Sequence, residues 1–222
     1  MKQKLQQVYP LIALILATLY QIIPHNVLYL PIFAGVSDFL FYILDMSLRL
    51  LVIAPAVILL FKTGNWQKMN GKTFRWSYLA YAILTIFALY IWNMMASILL
   101  PAPENASRYH AHVSTFTGAT IFLMRFLYPV ILAPVFEEII YRGLVMTALE
   151  KCSYWRLDVL ASAVFFAVLH ISNYGWSGTD FIFYFVGGLF FTLLFKHVKS
   201  IYWSIGVHIT YNGLMQLLMI LL

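Results

Sequence analysis

Apolar runs of about twenty residues recur along this chain, and they restrict its fold more than any motif does. In hydrocarbon every backbone N–H and C=O must find a partner inside its own segment or in a closed barrel. Runs of this length therefore fold as helices, and ~20 residues at 1.5 Å each cross the ~30 Å bilayer core. Hydropathy places seven runs, at roughly 8–23, 39–61, 77–100, 116–149, 157–172, 180–195 and 201–221. The fourth is longer than one crossing and is expected to continue as a surface helix, whereas the fifth and sixth are short. Residues 27–34 (VLYLPIFA) are too few to cross and read as an interfacial or re-entrant piece. Only 10% of the 222 residues are charged and 63% are hydrophobic, against about 25% and 45–50% in soluble domains. The expected fold is all-α and polytopic, with about seven transmembrane helices.

The cations orient those helices. With the N terminus in the cytoplasm, alternating sides put Lys2, Lys4, Lys62, Lys68, Lys72, Arg75, Lys151, Arg156, Lys196 and Lys199 inside, ten in all, and Arg108 alone outside. Lys and Arg accumulate in cytoplasmic loops, so the expected topology is N terminus in and C terminus out. The net charge of +6 has the same origin. Spread over loops, it suits anionic lipid headgroups and not nucleic acid, which calls for one basic patch or motif. Cys152 is the sole cysteine, so no intrachain disulfide can form; it reads as an inert thiol beside the cytoplasmic face. The first apolar run lacks an A-x-A cleavage site and reads as a retained helix. A short, almost wholly helical chain suggests a bacterial plasma membrane.

Two polar stretches interrupt the pattern, 62–76 on the inside and 101–115 on the outside. The second is the better boundary. Residues 1–115 then form a supporting half and 116–222 a working helix bundle, since most intramembrane polar residues lie beyond it. Asp45 and Arg49, four apart in the second run, are expected to neutralise each other. Arg125 has no local acid. His110 and His112 in the outer loop are too few for a metal site, and Asn105-Ala-Ser107 is formally a glycosylation sequon.

The chemically informative residues are buried where charge is costly, about 2.5–3.5 kcal/mol per acid on insertion scales. Glu137 and Glu138 adjoin in the fourth run, and Glu138 stands four before Arg142, the favourable order for a helical ion pair. Glu137 points about 100° away, with Tyr141 and Pro134 on its face and no cation of its own. It is the better candidate for a base. A turn near residue 153 separates Glu137 and His170 by almost equal arms, which sets them at about the same depth. Pro134, one turn before the acids, could kink the helix and admit water. His208 and Asn212 share a face of the last run, and Gly187, Gly188 and Gly206 permit close helix approach. A carboxylate with an imidazole can activate water, and a second imidazole with a carboxamide can hold an oxyanion. The same residues would also suit proton or ion conduction, or polar packing between helices.

Glu137-Glu138-x-x-x-Arg142, Phe166-x-x-x-His170 and His208-x-x-x-Asn212, in that order and inside apolar helices, resemble the three motifs of the CPBP family. These are the CAAX proteases and bacteriocin-processing enzymes, also called Abi, among them the type II CAAX prenyl proteases. The resemblance covers roughly residues 118–215 and implies an intramembrane endopeptidase acting on a peptide or protein in the membrane. It implies that Glu137 and His170 activate water and that His208 and Asn212 form the oxyanion hole. Glu138, Arg142, Phe166 and Tyr141 would support the site. The expectation is catalysis without a cofactor. A zinc-dependent version would use Glu137, His170 and His208 as ligands. A non-catalytic immunity or peptide-binding protein is the other class the pattern admits, and solute transport a third.

Overall fold

The computed structural model describes residues 2–28, 30–33, 35–71, 74–172 and 176–221, with no side-chain description at 2, 24–26, 106 and 172. Nine helices carry the described chain: α1 (Lys2–Leu28), α2 (Asp38–Thr63), α3 (Asn65–Lys68), α4 (Trp76–Leu99), α5 (Glu104–Ser114), α6 (Gly118–Ala148), α7 (Leu157–Ser172), α8 (Gly178–Val198) and α9 (Ile201–Leu221). The protein is an all-α polytopic membrane protein. Helices α1, α2, α4, α6, α8 and α9 are long and apolar enough to cross a bilayer, while α7 is an apolar helix of 16 residues. The seven expected runs are therefore six full-length helices and one short one. The sixth run is not short: Ser177 accepts a hydrogen bond from the Asp180 N–H and starts α8 earlier than hydropathy alone suggests, giving 21 residues.

Other boundaries follow local chemistry. Ser37 caps α2 at one end, and Gly64 (φ 82°) ends it in the left-handed conformation that glycine adopts without strain. The outer stretch 101–115 is not a flexible loop, because 104–114 form α5 with Glu104 in its first turn. The sequon is closed as well: Asn105 is buried and its amide donates to Asp180 at 2.9 Å. Of the 27–34 piece, Val27 and Leu28 end α1 and Pro31–Phe33 form one 3-10 turn, residues 29 and 34 lying outside the described set.

Helix α6 departs from regular α geometry. Two stretches, Leu123–Leu132 and Glu138–Val145, have π-type hydrogen bonding. The Ala133 N–H reaches back five residues to Tyr128, and that of Met146 to Tyr141. Pro129 and Pro134 lack an N–H, which breaks the α register and favours such wide turns.

The core draws on the whole chain, from Tyr9, Ala13, Ala17 and Tyr20 of α1 to Val207 of α9. Close approach depends on small residues. A Cβ on Gly188 would lie 3.3 Å from the Ala163 backbone, so α7 and α8 touch there. Gly206, by contrast, has nothing within 4 Å and plays no such part. One end of the bundle holds the turns rich in Lys and Arg. There the bundle is stitched by Lys196 to Asp158 (2.7 Å), Lys68 to Glu150 (2.8 Å) and a bridge between Asn70 and Ser200. At the other end Tyr109 donates to the Met124 carbonyl (2.6 Å), holding α5 on α6.

Candidate active site

Helix α6 places its two acids in different surroundings. Glu138, wholly buried, has both carboxylate oxygens engaged. Oε1 lies 3.1 Å from Arg142 Nη1 and 2.9 Å from His208 Nδ1, and Oε2 accepts the Ser204 hydroxyl. Arg142 in turn donates to the Gly188 carbonyl at 3.1 Å and lies over the rings of Phe166 and Phe191. The expected ion pair is present, and α9 completes it. Glu137 is also buried, yet accepts no hydrogen bond among the described residues. Its Oε2 lies 3.9 Å from His208 Nε2, too far for a hydrogen bond.

The two imidazoles are fixed by different means. His170 sits in the last turn of α7, between Tyr184 (4.1 Å, stacked) and Phe166 (4.6 Å between centroids). Its Nδ1 is 2.8 Å from the Phe166 carbonyl. A carbonyl can only accept, so Nδ1 carries the proton and the neutral ring keeps a lone pair on Nε2. His208 stacks on Phe191 at 4.1 Å and gives its Nδ1 proton to Glu138. Its Nε2 is the nitrogen turned toward Glu137.

Asn212 has a partner that the sequence explains after the fact. In the π register the Pro129 carbonyl would accept from residue 134, which is a proline. The Ala133 N–H goes to Tyr128 instead. The stranded carbonyl accepts from Asn212 Nδ2 at 2.8 Å. One of the two amide hydrogens is thereby used in joining α9 to α6.

Glu137, His170, His208 and Asn212 all line one cavity of about 500 Å³. Glu138, Arg142 and Tyr141 do not reach it and lie behind its wall; Tyr141 packs edge-on against Phe166 and Tyr20. Phe166 is on the wall itself. A volume of this order accommodates a few residues of extended peptide. His110 also lines it; burial and the Arg125 guanidinium lower its pKa, which favours the neutral ring.

Residues 119–214 match the family model of the type II CAAX prenyl endopeptidases, Rce1-like. The match covers 96 of the 222 residues. This agrees with the three-motif resemblance, and that family suggests CAAX-type intramembrane protease activity. No curated protein and no solved structure matches the chain. The matched stretch contains all four polar residues of the cavity named above. Arg49, Trp92, Asn93 and the rim at 101–110 also line that cavity and lie outside the matched stretch.

Zinc is the metal that a variant of this chemistry would use. Among the described residues no three His, Cys, Asp or Glu side chains gather as a ligand set. His208 has one nitrogen bound to Glu138, and its other is 3.9 Å from the Glu137 oxygen, wider than the ~3.3 Å that two ligands at ~2.0 Å subtend at a tetrahedral ion. The residues as placed do not fit that ion.

Sequence reasoning missed four residues of this site. Ser204 carried a usable signal, since Ser204, His208 and Asn212 recur every four residues on one face of α9. Tyr184 and Phe191, which stack on the two imidazoles, look like any other aromatic of an apolar helix. Arg49 was expected only as the partner of Asp45. That pair is present at 2.7 Å, but Arg49 is also a cation on the cavity wall, its guanidinium over Tyr20 and Tyr128.

Proposed function

We propose that this protein is an intramembrane endopeptidase that hydrolyses a peptide bond with water activated by Glu137 and His170. What supports the reading is the convergence, on one cavity inside an apolar bundle, of a carboxylate and a histidine Nε2 that have no hydrogen-bond partner among the described residues. In this scheme the water oxygen attacks the scissile carbonyl carbon and Glu137 takes its proton, while His170 Nε2 accepts the second hydrogen and orients the molecule. The carbonyl oxygen becomes an oxyanion. It receives a hydrogen bond from His208 Nε2–H and one from the remaining Asn212 amide hydrogen. In this scheme His208 carries both ring protons from the start to the end of the cycle, its charge balanced through Nδ1 by Glu138, so it neither gains nor loses one. As the tetrahedral intermediate collapses, the C–N bond breaks and the proton on Glu137 passes to the leaving amine. Product release returns both groups to their starting states.

The decisive experiment is proteolysis by Glu137→Gln and His170→Ala protein that remains folded in detergent. Loss of cleavage in both is expected, and retained activity in either overturns the assignment. Because the donors do not fit zinc, elemental analysis of the purified protein is expected to find no stoichiometric metal. One zinc per chain would replace the carboxylate-base scheme.

A further inference from the structure

The direction of the cavity, set against the charge of the two bundle ends, bears on which side the substrate comes from. The helices lend the cavity their middle parts and residues toward one end of the bundle. On α4 the lining residues lie between 89 and 97, on α8 between 183 and 191, and on α9 between 208 and 219. Helix α6 contributes from 128 to 137, and α7 only its last turns, from 166 to 170. These parts all point toward the segment 101–118 and the start of α8. None of the described residues of the turns at 62–71, 74–75, 150–156 or 196–200 lines the cavity. The rim residues Pro101 and Met219 are exposed. Just before α8, at the same end of the bundle, Trp176 is also exposed.

The closed end bears the cations. Lys62, Lys68, Arg75, Lys151, Arg156, Lys196 and Lys199 all belong to it, and the start of α1 joins them, since Gln6 donates to the Thr63 carbonyl. At the open end Arg108 pairs with Glu104 at 3.5 Å, and Asp38 and Asp180 stand in the first turns of α2 and α8. Lys and Arg flanking membrane helices are retained on the cytoplasmic side, where anionic lipids attract them.

We propose that the cavity opens to the extracytoplasmic face, and that its substrate is a polypeptide segment presented from that side: an exported peptide or the outer flank of a membrane-anchored protein. The substrate half of this proposal rests on the peptidase reading above; the topological half does not. The wall suits such a ligand. Asn93, Ser97 and Gln216 place uncharged polar groups along the path of a peptide backbone entering between aromatic and aliphatic side chains. A cytoplasmic C-terminal tail would meet the cation-rich turns, where the bundle is shut by its own ion pairs.

Native Cys152, at the closed end, and single cysteines at the open end make the test direct. Intact cells expressing the full chain are treated with a membrane-impermeant maleimide. Pro101→Cys and Trp176→Cys, each in a Cys152→Ser background, are expected to label in intact cells, and Cys152 of the unaltered protein only after permeabilisation. The reverse pattern overturns the proposal and leaves the peptidase reading intact. In a second arm, polypeptides that accumulate in Glu137→Gln cells relative to unaltered cells are identified. Chains whose processing site lies in an exported or outer segment are expected; cytoplasmic tails overturn the proposal. If nothing accumulates while the labelling is as expected, the peptidase reading fails and the substrate assignment with it, and the topology stands.

Discussion

The back and the front of α6 carry neighbouring glutamates that share almost nothing else. Behind the wall, Glu138 has Arg142, His208 and Ser204 on its two oxygens and no solvent exposure. In front, Glu137 faces a cavity without a hydrogen bond among the described residues. A rotation of about 100° between consecutive residues thus separates a compensated carboxylate from the one proposed to act as the base. Glu137→Gln is expected to lower peptide cleavage by roughly 10²–10⁴-fold, the range for a general base, with the thermal midpoint in detergent unchanged. Glu138→Ala should do the opposite first. It strands Arg142 in a buried site, where breaking one partner of an ion pair costs about 3–5 kcal/mol, read as a fall in denaturant or thermal stability. A destabilised Glu137→Gln, or a Glu138→Ala that is as stable as the parent, would erase the distinction.

How much of that distinction was legible depends on which contacts are local. The Glu138–Arg142 pair is set by spacing on one helix, and the sequence shows it without tertiary knowledge. So do the apolar runs, because burial in lipid leaves helices as the available structure. The Glu138–His208 and Glu138–Ser204 contacts join residues 70 and 66 positions apart. Spacing alone cannot place those, and His208 read as a free donor is in fact anchored through Nδ1. The wide turns of α6 had a cue in Pro129 and Pro134, but their consequence for Asn212 needs the register to be known. The polar composition of 101–115 suggested a loop. It misled because α5 is amphipathic and Asn105 buys its burial with Asp180.

Asn212 belongs to both sides of the comparison, with one amide hydrogen on the Pro129 carbonyl and the other proposed for the oxyanion. Asn212→Ala is expected to show both effects at intermediate size. An unsatisfied carbonyl costs about 1–3 kcal/mol when fully buried, and the part-buried Pro129 carbonyl less; loss of one oxyanion donor costs about 10²–10³-fold in turnover. Stability and single-turnover cleavage, measured on the same preparation, separate them. A variant with normal turnover but reduced stability would assign Asn212 to helix packing alone.

The smallest effect is expected at the closed end, where distance and burial can be told apart. Glu150 and Asp158 meet their lysines at nearly the same separation, 2.8 and 2.7 Å. The Lys68–Glu150 side chains are 57% and 60% exposed, those of Lys196 and Asp158 only 21% and 6%. Water and salt screen the first pair, so Glu150→Ala should cost between zero and about 1 kcal/mol and less at high ionic strength. Asp158→Ala removes the partner of a half-sheltered ammonium, which also holds the Ser153 hydroxyl at 2.7 Å, and should cost more, with little salt dependence. Equal costs for the two variants would mean that the closed end is held by its aromatic and backbone contacts, and that its ion pairs follow from the positive-inside distribution of charge without adding to the stability of the bundle.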